Sequence, residues 1–143
     1  MFMIKKRRRK QIPTDLEILE AIYSRHYEEF ASFIKGNSER IAKNYVPVDI
    51  EAIASDYDVD ADIIFSRLYY HFEKKYGYKK DDGRTVAFFS TKIGKDKHCV
   101  NFPYMTAILA GLQDDQRRFG MATTLSIISL VVAAISLVLS IIR

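Results

Sequence analysis

From Met121 to Ile142 the chain reads MATTLSIISLVVAAISLVLSII, 22 residues without a charged residue, Gly or Pro. At 1.5 Å of rise per residue, a helix of this length is about 33 Å long, close to the roughly 30 Å hydrocarbon core of a bilayer. Twelve of the residues are Leu, Ile or Val, and each favours insertion near the bilayer centre by about 0.3–0.6 kcal/mol. A buried core helix of this composition would need apolar neighbours on every side, and the domain preceding it is too small to supply them. Residues 121–142 are therefore expected to form a single transmembrane helix. Residues 103–120 are expected to continue it on the near side as a juxtamembrane helix, with Pro103 in its first turn.

The flanks predict an orientation. Arg117 and Arg118 immediately precede the segment, and the run Lys5, Lys6, Arg7, Arg8, Arg9, Lys10 lies upstream on the same side; only Arg143 lies beyond it. The positive-inside bias places the N-terminal domain in the cytoplasm. The basic run leads into the polar stretch QIPTDLE, not into an apolar core as in a signal peptide. Residues 1–13 thus read as a basic arm.

Within the span, Ala122, Ser126, Ser129, Ala133, Ser136 and Ser140 are spaced 4, 3, 4, 3, 4. This repeat of 3.5 residues sets small side chains along one stripe, as in a left-handed helix pair. Small faces let backbones approach in lipid, and Ser hydroxyls can bond across the contact. A homo-oligomer through this stripe is expected. The competing reading is that Ser and Ala are common in single-span anchors and that their register is chance. Upstream the repeat continues through Phe119, Leu112, Ile108 and Met105, with Asp115 breaking it.

Residues 14–102 carry the soluble domain. Thr14 and Glu17 form a capping box, and Leu16, Leu19, Ile22, Tyr23, Tyr27, Phe30 and Ile34 recur at helical spacing up to Gly36. His26 sits beside that face and reads as structural. A short helix over SERIAKN is expected to lead into an extended YVPVD, because Pro47 disfavours helix at Val46. A short helix over residues 50–55, the turn DYDVD, and a longer helix from Ala61 to Gly77 follow. The longer helix places Ile64, Phe65, Leu68, Tyr69, Phe72 and Tyr76 on one face. RTVAFFSTKI and HCVNF read as two strands joined by a GKDK turn.

Two helices joined by a tight turn make a helix-turn-helix. The order helix, strand, helix, helix, β-hairpin, and above all the segment VDIEAIASDYDVDADIIFSRLYYHFEKKYGY, resembles the winged helix-turn-helix superfamily. The resemblance covers roughly residues 14–102 and rests on element order and apolar spacing. The expected fold class is α+β: a small winged-helix-like domain of three or four helices plus a hairpin wing, followed by a long C-terminal helix.

Such domains often bind DNA by placing the second helix of the pair in the major groove. The charges oppose that use here. Asp49, Glu51, Asp56, Asp58, Asp60 and Asp62 occupy the helix pair, with no Lys or Arg among them. They would face a duplex carrying one phosphate charge per about 1.7 Å. Some serve equally well as helix caps. The region of the wing is basic: Lys74, Lys75, Lys79, Lys80, Arg84, Lys92, Lys95 and Lys97 stand against Asp81, Asp82 and Asp96. Three uses remain open for it and for the arm: nucleic-acid backbone, anionic lipid, or a solvated surface.

Catalytic and metal motifs are lacking. Asp56, Asp58 and Asp60 alternate as in a calcium loop, but Ala61 stands where Gly is needed and Arg67 where a bidentate Glu is needed. His98 and Cys99 are adjacent on a strand and point to opposite faces. The lone Cys99 excludes an internal disulfide framework. No phosphate loop or nucleophile elbow occurs. The expectation is a non-enzymatic interaction protein without cofactor, anchored in the membrane, oligomeric, and displaying its domain to a protein partner. A membrane-tethered nucleic-acid-binding regulator and an oligomerising, membrane-perturbing effector are the alternatives.

Overall fold

Helix α1 (Asp15–Ala31) opens on the expected capping box. The Thr14 hydroxyl accepts the Glu17 N–H at 3.2 Å, and the Glu17 carboxylate accepts the Thr14 N–H at 2.7 Å. The computed structural model of the chain describes residues 11–36 and 39–143. The basic arm residues Lys5–Lys10 lie outside the described residues. Helix α1 buries Ile18, Leu19, Ile22 and His26 and stops earlier than its periodicity predicts, so that Ile34 is exposed. Arg40 takes the place of a further turn: its Nη2 donates to the Glu29 carbonyl at 3.0 Å, one of the carbonyls that a helix end leaves unpaired. Residues 39–44 contain no helix, contrary to the expectation for SERIAKN. Burying Arg40 under α1 requires the backbone to bend there.

Strand β1 (Tyr45–Pro47) leads into helix α2 (Ile50–Asp56), capped by Asp49, whose carboxylate accepts the Ala52 N–H at 2.9 Å. After a turn containing Asp58 at φ 51°, helix α3 (Ala61–Ser66) begins under the Asp60 cap. It passes without interruption through a π-helical stretch, Arg67–Phe72, into α4 (Glu73–Tyr76), which ends at Gly77 as expected. The wider π turns give this helix a four-residue period. Ile64, Leu68 and Phe72 line the core at that spacing.

The expected strand RTVAFFSTKI is split in two. Phe88 and Phe89 are consecutive and both buried, which one straight strand cannot achieve, because neighbouring side chains point to opposite faces. The chain bends between them. Thr85–Val86 (β3) pairs with Tyr78–Lys79 (β2) as a separate ribbon. Phe89–Ile93 (β4) pairs with Asp96–Asn101 (β5) around a two-residue turn, Gly94–Lys95, with Gly94 at φ 61°. Strand β1 adds antiparallel to the other edge of β5, giving the order β1-β5-β4. Pro47 sits on this edge strand, where its missing N–H costs no ladder bond.

Helix α5 (Phe102–Ile142) follows β5 directly. Phe102 stacks on Phe30 at 4.9 Å between ring centroids, and Met105 and Leu109 are buried with it. Tyr104 donates its hydroxyl hydrogen to the Tyr76 carbonyl at 2.9 Å, tying the start of α5 to the end of α4. The chain divides into two compact units, residues 1–109 and 110–143. The architecture is thus mixed helix and sheet, with small antiparallel sheets and a long apolar C-terminal helix.

Candidate membrane segment and interaction surfaces

The second unit is a continuous helix, long and apolar enough to cross a membrane by length and composition, and none of its apolar window is buried. Arg118 Nε donates to Asp114 at 2.8 Å one turn away, just before the apolar stretch. At 100° per residue, Ala122, Ser126, Ser129, Ala133, Ser136 and Ser140 lie within an arc of about 80° on this helix. Ser126, Ser129 and Ser136 donate their hydroxyl hydrogens to the carbonyls of Ala122, Leu125 and Val132, each at 2.9 Å. Their hydroxyl hydrogens are thus engaged within the helix, and the stripe offers small size and oxygen lone pairs to a neighbour.

In the first unit, much of the acidic helix pair has structural employment. Asp49 and Asp60 cap α2 and α3, and Asp56 pairs with Arg25. Glu51 and Asp62 are exposed. A four-residue period sorts the helix that starts at Ala61 into columns. One column is the core. A second carries Arg67, His71 and Lys75, which converge on Asp15 of α1: His71 Nε2 lies 2.9 Å and Lys75 Nζ 3.4 Å from Asp15 Oδ2, and Arg67 binds Oδ1. Burial alone would raise the Asp15 carboxyl, but hydrogen bonds from His71 and Arg67 outweigh it and hold the pKa below the ordinary carboxylate value. Phe65 and Tyr69 form a third column, stacked at 5.6 Å and set edge-on to Phe89 of β4. The fourth, Asp62, Ser66, Tyr70 and Lys74, faces away from the core; Tyr70 is 67% exposed.

The eight basic residues are distributed over three elements. Lys74 and Lys75 lie on α4, and Lys75 is committed to Asp15. Lys79, Lys80 and Arg84 belong to the β2–β3 ribbon, where Arg84 Nη2 pairs with Asp82 at 2.6 Å. Lys92, Lys95 and Lys97 alone lie on the β4–β5 hairpin, all exposed, with Lys92 directly opposite Lys97 across the strands. Sequence reasoning missed the Asp15 cluster and the buried Arg40. The regular spacing of Arg67, His71 and Lys75 was the available signal for the first.

No protein-family model matches the chain, and no match to a curated protein or to a solved structure was found.

Proposed function

We propose that this chain is a single-pass membrane protein whose first unit is a cytoplasmic, winged-helix-like protein-interaction module, displayed in oligomeric form by its C-terminal helix. The observation that carries the reading is the unburied apolar helix over residues 121–142. Exposing twelve Leu, Ile and Val side chains to water opposes folding and solubility, whereas lipid removes that cost. The winged-helix reading is supported by the order α1, β1, α2, α3, hairpin, with β1 added to the hairpin edge. The β2–β3 ribbon is an insertion in that order. An interaction role is supported by the carboxylates of residues 49–62, which include no Lys or Arg to meet phosphate.

The test is alkaline extraction of membranes containing the full chain. The protein is expected to stay with the lipid and to be released when residues 121–143 are deleted; a full chain recovered as a soluble monomer would sink the reading. Sidedness is tested with Lys95→Cys on the exposed wing, which an impermeant maleimide should label only after the membrane is opened. Replacing Ser129, Ala133 and Ser136 together with Leu should weaken self-association in detergent about tenfold or more, since packing at small residues drives helix pairing in lipid.

One observation favours a second reading, in which the wing touches an anionic partner such as nucleic-acid backbone. Like charges directly opposite on paired strands are destabilising, and Lys92 and Lys97 are so placed. An anion between them would relieve the repulsion. Affinity for duplex DNA that falls steeply with salt, and is lost on replacing Lys92, Lys95 and Lys97 with Glu, would support it.

A further inference from the structure

The outward column of the helix pair has a symmetry of its own. Asp62, Ser66, Tyr70 and Lys74 recur every four residues because the π-helical stretch Arg67–Phe72 widens the turn. Asp62, Tyr70 and Lys74 are exposed and Ser66 is half-buried. Neither the Asp62 nor the Lys74 side chain enters an ion pair among the described residues. The column therefore reads, in order, acidic, small, large, basic. A two-fold axis passing beside Leu68 exchanges position 62 with 74 and position 66 with 70. Such an operation sets unlike charges against each other at both ends and a large side chain against a small one at both inner positions.

We propose that a second copy of this chain docks antiparallel on this column, so that Asp62 meets the partner's Lys74 and Tyr70 lies over the partner's Ser66. Each contact occurs twice, as an isologous interface requires. A parallel arrangement would oppose Asp62 to its own copy and crowd two tyrosines together, so charge and shape select the antiparallel one. Ile63 and Tyr69, 40% and 43% exposed, flank the column and add apolar area. One helix face buries less than the roughly 1,200–2,000 Å² of a standard interface. The contact therefore depends on copies being concentrated by a shared membrane, and in this it rests on the anchor proposed above. A nucleic acid on the same column is the other occupant, and the test separates it from a second copy.

The test uses the full chain in phosphatidylcholine vesicles, with pairing followed by energy transfer between labelled copies as the lipid is diluted, and flotation recorded on the same samples. Asp62→Lys and Lys74→Asp alone should each weaken pairing about five- to tenfold, because two exposed pairs per dimer become repulsive. The double variant, Asp62→Lys with Lys74→Asp, should restore it to within about twofold of the original. Ser66→Tyr, which fills the space under the partner's Tyr70, should weaken pairing without touching a charge. Single reversals without effect, or a double variant no better than the singles, overturn the proposal. Tighter binding of DNA by Asp62→Lys with unchanged pairing assigns the face to nucleic acid and also overturns it. Loss of pairing on placing Leu at Ser129, Ala133 and Ser136 while the charge variants pair normally leaves the span as the sole contact and overturns it. Failure of the chain to float with the vesicles removes the anchor as well.

Discussion

Asp49 donates its backbone N–H to His26 Nε2 at 3.2 Å, joining the first helix to the cap of the second. A backbone N–H can only donate, so Nε2 carries no hydrogen. Nδ1 carries it and faces Glu29 Oε2 at 3.2 Å. His26 is thus a buried two-ended connector. His26→Phe keeps a planar aromatic ring, somewhat larger, but removes both bonds and leaves the Asp49 amide unpaired. A loss of about 1–3 kcal/mol is expected, read from denaturant midpoints of the full chain in micelles; an unchanged midpoint would show that water replaces the ring at no cost.

The Asp15 cluster predicts a pH dependence. A carboxyl whose pKa is lowered on folding stabilises the fold above its unfolded value, and that contribution is lost as pH falls through the folded value. Because Asp15 is lowered from 3.8, its contribution should be complete near neutrality and fade in acid below about pH 4. Asp15→Asn should therefore be less stable than the parent at pH 7, and the gap should close toward pH 2–3. Thermal melts of the two chains across that range measure it, and a gap that widens in acid would refute the assignment.

Gly77 is needed for room, not for a left-handed backbone. A Cβ there would lie 2.4 Å from Glu73 Oε1 and 2.6 Å from the Glu73 carbonyl oxygen. The Glu73 carboxylate is meanwhile fixed, accepting the Phe89 N–H at 2.7 Å where β4 begins. Gly77→Ala should push Glu73 off this amide and cost about 1–3 kcal/mol. In a Glu73→Ala background the same substitution should cost less, because both changes break one contact. Strict additivity in the double-mutant cycle would count against the coupling.

Cys99 is fully buried. Burial, with a smaller contribution from Asp96, pushes its thiol up to about 11. Since the thiolate is the nucleophile, Cys99 should react with maleimide at pH 8 only as fast as the first unit opens. Mass spectrometry over a denaturant series should show labelling that tracks unfolding; rapid labelling of the native chain would contradict this burial.

Local signals carried most of the helical framework. Thr14 with Glu17, Asp49, Asp60 and Gly77 mark helix ends through bonds within a few residues, and the charge-free run after Gly120 is legible from composition alone. Features set by distant partners were not legible. Helix α1 ends early because Arg40 reaches back to Glu29, eleven residues away. The hairpin strand splits because Phe88 and Phe89 are both claimed by the core, Phe88 stacking with Phe72 and Phe89 meeting Phe65. Arg67, His71 and Lys75 read as an ordinary solvated stripe until Asp15, more than fifty residues upstream, is folded against them. The π-helical stretch has no marker in residue type, yet it decides which side chains share a column.

The inward-turned hydroxyls of Ser126, Ser129 and Ser136 bear on the order in which such a tail would assemble. A serine that has already spent its hydrogen on its own backbone brings no unmet donor into hydrocarbon. Lipid entry then requires no companion strand of sequence to neutralise it. On the proposed reading the tail would arrive alone and meet its twin afterwards by lateral diffusion, so that the density of copies in the bilayer, and not the act of insertion, would govern assembly.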